Sequence, residues 1–169
     1  GIVAKTYLSN SNECSEKRWF GSTHDIKNTK VWLCGDLVEI NQYCIFNTPS
    51  CSFAIEMGHD LFAPIPPSSQ LSMMGAEIVL NLSAESVLAG KDDYLRNQIS
   101  SQSARCIGGY VYAGAGFGES STDIVFNAQA LIYENGKMLA ENLPFCTESQ
   151  LVFSEIDIEH IRSERRKNN

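Results

Sequence analysis

Phe53-Ala54-Ile55-Glu56-Met57-Gly58-His59-Asp60-Leu61-Phe62, followed by Pro64-Ile65-Pro66-Pro67-Ser68, is the stretch on which the fold turns. Side chains alternate across a strand. Ser52–Met57 therefore reads as one, with Phe53, Ile55 and Met57 on one face and Ala54 and Glu56 on the other. The proline run then breaks regular structure, because proline fixes φ and removes a donor. Ser68 or Ser69 is expected to cap a short helix that ends at Gly75. Ile78-Val79-Leu80 is continuously apolar, as in a strand covered on both faces. Asp92 and Asp93 open a second helix, where carboxylates suit the positive end of the dipole. Leu95, Ile99 and Cys106 supply its buried stripe, and Gly108 follows its end.

Toward the N-terminus, residues 2–5 read as a short strand and 9–30 as polar, irregular chain anchored by Trp19-Phe20. Residues 31–33 and 43–46 read as strands with Gly35-Asp36 between them. Toward the C-terminus, strands are expected at 110–113, 124–126 and Ala130–Glu134, and Asn135-Gly136 is a two-residue hairpin turn into 137–140. Residues 151–158 read as a last strand or extended segment before a charged helix. Strand, helix, strand, helix, then hairpins, implies a mixed sheet with helices on one face. The class is α/β (α+β), in one domain spanning 1–169.

Twenty acidic residues against thirteen basic give a net charge of −7, which disfavours a nucleic-acid surface. The basic run 162–167 reads as a solvated helix end. No stretch approaches the roughly 18 uninterrupted apolar residues of a membrane helix, so no membrane partner is expected. Six cysteines, at 14, 34, 44, 51, 106 and 146, include no CxxC pair. Zinc and redox chemistry are poorly supported, and free thiols in a cytoplasmic protein are expected. Asn81-Leu82-Ser83 matches a glycosylation sequon at a strand end. Residue 1 is Gly, and Ile2-Val3-Ala4 reads as mid-strand with no signal peptide before it, as in a piece of a larger chain.

A series of local sequences carries a resemblance: Lys5-Thr6-Tyr7-Leu8 with Glu13 and Glu16-Lys17-Arg18-Trp19-Phe20; the 53–62 stretch with its proline turn; Asn81-Leu82-Ser83-Ala84; Gly90-Lys91-Asp92-Asp93-Tyr94; Gln102-Ser103-Ala104-Arg105-Cys106; Gly118-Glu119-Ser120 with Asp123; and Asn135-Gly136-Lys137 with Leu139-Ala140-Glu141. Over nearly the whole chain, and in order, this resembles the carbon–nitrogen hydrolase (nitrilase-like glutaminase) domain of bacterial glutamine-dependent NAD synthetases. There the turn reads roughly Glu-Ile-Cys-Glu-Asp-Leu-Trp. The resemblance implies a nitrilase-like αββα sandwich, completed when two such domains pair, of which this chain is an incomplete half lacking its N-terminal strands. Unpaired strand edges then lead us to expect a homo-oligomer. The resemblance also implies acyl transfer. A cysteine thiolate attacks the side-chain amide of glutamine, a glutamate serves as general base and acid, and a lysine stabilises the oxyanion. Ammonia passes to a synthetase domain, where ATP and Mg are expected; none is expected in this domain.

By the same resemblance, Lys5 is the oxyanion lysine at the end of a strand, and Glu13 positions that lysine and the substrate. Gly58 occupies the nucleophile's position and offers no attacking atom. His59 replaces a glutamate and Phe62 a tryptophan. Ser11 and Cys14 replace pocket aromatics, and Ser9 a proline. Glu85 stands at a serine's place, adding negative charge near the substrate carboxylate. Ser11, His59, Phe62 and Glu85 are thus the implied substrate contacts, and the general base falls before Gly1. Cys51, seven residues before Gly58, lies too far away to substitute. His59 without a nucleophile beside it reads as a loop histidine. The run Gly114-Ala115-Gly116-Phe117-Gly118 fails the dinucleotide fingerprint because Glu119 takes the third glycine's place. A chain of this kind is expected to be catalytically silent, the alternative being a pseudoenzyme or dimerisation module of the same fold.

Overall fold

A computed structural model describes residues 1–10, 14–26, 29–119 and 124–168. Among these residues, β1 (Thr29–Leu33) and β2 (Asp36–Ile40) form an antiparallel ribbon. Six strands form the main sheet, in chain order: β3 (Ile45–Asn47), β4 (Ser52–Met57), β5 (Ile78–Ser83), β6 (Gly109–Gly114), β7 (Ala130–Glu134) and β8 (Lys137–Glu141). The centre, β4-β5-β6, is parallel, and β3, β7 and β8 add antiparallel edges. Helices α2 (Pro67–Met73) and α3 (Lys91–Cys106) make the two parallel crossovers. Short helix α1 (Glu16–Trp19) precedes the ribbon, and α4 (Ile158–Asn168) ends the chain.

The mixed sheet with helices on one face is as expected. Leu61, Val79, Leu95, Ile99, Tyr110, Tyr112, Leu131 and Tyr133 form the main core cluster between sheet and α3. Ala54, Leu71 and Ala76 form a second cluster under α2. Period-2 alternation turns Phe53, Ile55, Met57, Leu80 and Val111 toward the other face. That face is less covered, and Leu82 on it is 59% exposed. The hairpin turn at Asn135-Gly136 has φ +44° and +85°, the two positive values a type I′ turn needs.

Several local expectations are corrected. Residues 2–5 hold only one bridge, Ile2 to Ile40, and not a strand. Residues 36–40, outside the expected strands, are β2. Cys34 and Gly35, at φ +52° and +88°, make the tight turn that pairs it with β1. Residues 124–126 form no strand, although the Val125 carbonyl accepts the Val87 N–H. Residues 151–157 belong to no strand, and α4 begins at Ile158. Neither Ser68 nor Ser69 caps α2: Pro66 is the N-cap, Pro67 opens the helix, and the Ser68 N–H donates to Glu56 instead. Trp19 and Phe20 anchor nothing, being 72% and 66% exposed.

The basic tail is not simply solvated either. Arg162 donates to both Glu77 oxygens, at 2.6 and 3.3 Å, and to the Ser50 carbonyl. Arg165 donates to the carbonyls of Ala76, Cys106 and Ile107 at 2.8–2.9 Å. The C-terminal helix is thereby fastened to the far end of the sheet and to the last turn of α3.

Candidate functional site

Strand β4 delivers the chain into a 3₁₀ turn, Gly58–Phe62, at the C-terminal end of the parallel strands. That edge is where α/β sheets place their ligands. Gly58 sits at φ +45°, a left-handed conformation that costs an ordinary residue about 1–2 kcal/mol. Its N–H donates to Asn81 Oδ1 at 3.1 Å, and Asn81 Nδ2 approaches the Gly58 carbonyl at 3.4 Å. Asn81 Nδ2 also donates to the Tyr110 hydroxyl at 2.9 Å, and that hydroxyl donates to Glu56 Oε1. The Ser68 N–H completes Glu56 at 2.9 Å from Oε2. Glu56, Asn81 and Tyr110 are each 1% exposed. The sequon asparagine is therefore a buried brace of the turn, out of reach of a glycan.

Burial pushes the Glu56 carboxyl above the usual range, outweighing its hydrogen bonds to Tyr110 and Ser68, and Asp60 adds to the rise. A carboxyl raised on folding stabilises the fold fully below its unfolded pKa and loses that contribution as pH climbs through the folded value. Glu56→Gln imitates the neutral acid. Its stability relative to the unmodified chain is expected to increase from pH 5 to pH 8 in urea unfolding. A constant difference across that range would show that Glu56 is not raised.

Asp60 ties the turn to the N-terminal segment. Its oxygens accept the Thr6 N–H at 3.3 Å and the Tyr7 N–H at 2.6 Å. Burial raises this carboxyl more than those amides and the nearby Lys5 lower it. Lys5 thus lies beside the Gly58 turn, as the resemblance implied, though on coil and not on a strand. Its ammonium meets both oxygens of Glu16, at 2.7 and 2.8 Å, and the Ser9 N–H donates to Glu16 at 2.6 Å. Glu16 holds the lysine in this structure, while Ser11 and Glu13 lie outside the described residues.

On the other side of the turn, His59 Nδ1 stands 3.3 Å from Glu85 Oε1, and Lys91 Nζ donates to Glu85 Oε2 at 2.9 Å. Burial works to raise Glu85, but Lys91 and His59 prevail and hold it below the usual carboxylate range. Glu85 therefore does not stand as the unbalanced negative charge expected of it. Phe62 stacks on Tyr94 at 5.7 Å and tilts against His59 at 5.6 Å. Phe62, Glu85, Lys91 and Tyr112 line one cleft. Of the implied residues, the structure gathers Lys5, Gly58, His59, Phe62 and Glu85 around one turn. Cys51 sits at the opposite end of β4, roughly 20 Å away at ~3.3 Å per strand residue. All six cysteines are free.

Glu16, Asp60, Asn81, Lys91 and Tyr110 are not among the site residues that the sequence implies. The one available signal was Glu56, a carboxylate on the same strand face as Ala54, which had to find partners if that face was buried. Among the described residues no cluster could hold a metal ion, and no helix is long and apolar enough to cross a membrane.

No family model matches the chain. The glutamine-dependent NAD(+) synthetase of Mycobacterium tuberculosis is 34% identical over 168 residues, covering 98% of this chain and 25% of the relative. The chain is a homologue of one part of glutamine-dependent NAD(+) synthetases. It spans about a quarter of the length of the curated relatives it matches. Solved structures support the hydrolase fold. A glutamine-dependent NAD(+) synthetase from Cytophaga hutchinsonii superposes with a TM-score of 0.72 at 23% identity, over 84% of this chain and 22% of that one. A carbon–nitrogen hydrolase from Helicobacter pylori G27 gives 0.73 at 16% identity, over 96% and 54%.

Proposed function

We propose that this chain is the glutaminase-type domain of a glutamine-dependent NAD synthetase, the part that supplies ammonia for amidation of deamido-NAD, in a form that is catalytically silent. The observation that carries the reading is Gly58. It lies at the turn beside Lys5, on the sheet edge where a nucleophile belongs, and it has no side chain to attack with. On this reading glutamine is the cognate small molecule, and ATP and Mg belong to a synthetase domain; this domain takes no cofactor of its own. A cytoplasmic setting is supported by the six free cysteines, and the −7 charge argues against nucleic acid as a partner. Ammonia release from glutamine tests the proposal. The unmodified chain is expected to release none above the uncatalysed rate. Release that disappears in Lys5→Met would overturn silence.

A second reading, a non-catalytic module kept for self-association, draws on the less covered sheet face and on Leu143, Phe145, Leu151 and Phe153, which are 60–85% exposed. A homo-oligomer is expected in sedimentation velocity. A sharp monomer at micromolar concentration would remove this reading and leave the first intact.

A further inference from the structure

A β-carbon built on Gly58 meets Ser83 Oγ at 3.5 Å, Ser83 Cα at 3.7 Å and Glu85 Oε1 at 3.9 Å. These are ordinary contacts, so there is space for a β-carbon at the strain of the positive φ, and the wall it meets includes a hydroxyl and a carboxylate. Ser83 is 9% exposed, and its hydroxyl makes no hydrogen bond of ordinary geometry, although the Tyr112 phenol is close enough to feel it. Glu85 does not hang freely over this space. Lys91 bonds its Oε2 and is itself fixed on the Ser86 carbonyl at 3.1 Å, while His59 faces its Oε1. The oxygen that looks toward position 58 is therefore held in place.

We infer that Glu85 is an electrostatic gate over the turn: clamped by Lys91 and His59, its carboxylate holds position 58 against any anion, whether a thiolate or the oxyanion of an acyl-transfer intermediate. The inference rests on the reading that position 58 is the nucleophile's place. It adds that two changes, and not one, separate this turn from a reactive one.

The other ionisable groups around the turn do not duplicate this role. Asp60 is engaged with the Thr6 and Tyr7 amides, Lys5 with Glu16, and Glu56 is buried beneath Asn81. Tyr112, pushed up to about 12 chiefly by burial, stays neutral below that. Removing the Glu85 charge therefore changes the field at position 58 most directly.

Gly58→Cys places a thiol in that field. Its alkylation by iodoacetamide, followed peptide by peptide by mass spectrometry from pH 6 to 10, reads its ionisation, with the six native cysteines as internal standards. In Gly58→Cys the midpoint is expected above the ordinary thiol value of about 8.5. Adding Glu85→Gln is expected to lower it by about one pH unit, raising the rate near neutral pH about tenfold. Adding Lys91→Met, which releases the carboxylate's counter-charge, should move the midpoint up. Ser83→Cys, isosteric and free of positive φ, puts a thiol on the opposite wall and should respond to Glu85→Gln in the same direction. It serves where Gly58→Cys folds poorly. A midpoint that ignores Glu85→Gln in both backgrounds overturns the gate, because a merely structural Glu85 would alter melting and not the profile. Ammonia release plays no part in these profiles, so the failure of the silent-glutaminase reading would be seen separately.

Discussion

Asn81→Leu is expected to destabilise the chain by roughly 3 kcal/mol or more, at ~1 kcal/mol or more for each buried group left without its partner. The groups are the Gly58 N–H, the Tyr110 hydroxyl as acceptor, and Glu56, whose Oε1 lies 3.5 Å from Asn81 Nδ2. Leucine is close to asparagine in volume, so the loss measures hydrogen bonding and not a cavity. For a domain of this size the melting temperature should fall by about 6–12 °C. Because Asn81 braces both polar groups of Gly58, hydrogen exchange at the Gly58 amide should accelerate beyond the global effect. Urea unfolding that shows less than about 1 kcal/mol of change would mean the turn is braced by something else.

Arg165→Ala is the second large effect, roughly 2–4 kcal/mol from the loss of charge-assisted hydrogen bonds to three carbonyls. Those carbonyls, of Ala76, Cys106 and Ile107, lie before β5 and at the end of α3, and one guanidinium spans them. Arg165→Lys should recover little, since an ammonium is a point charge without the planar fork. Exchange should rise first in α4, which buries only Ile161 of its side chains and depends on its arginines for attachment. Equal stability of the Arg165→Ala and unmodified chains in urea would show that α4 is held by apolar contact alone.

The buried brace under Gly58 bears on the chemistry as well as on stability. On the proposed reading, a turn held at positive φ by Asn81 and tied to the Lys5 segment by Asp60 is preorganised geometry of the kind acyl transfer uses. Beside that turn, Glu85 is paired with His59 and Lys91.

The sequence by itself determined where β4, β5, β6 and β7 lie along the chain, the two helices between them and the Asn135-Gly136 turn, because periodicity, caps and turn residues act within a few positions of the chain. It also determined that position 58 carries no nucleophile, since glycine lacks the atom wherever the fold puts it. Tertiary structure alone decided which charges meet. Glu56 reaches Tyr110 across 54 positions, Asp60 reaches Thr6 across 54, and Arg162 reaches Glu77 across 85. Tertiary structure also gave Lys5 to Glu16 and matched Glu85 with Lys91 and His59. Such pairings depend on strand register and on how far helices lie from a sheet edge, and no pattern of neighbouring residues encodes either.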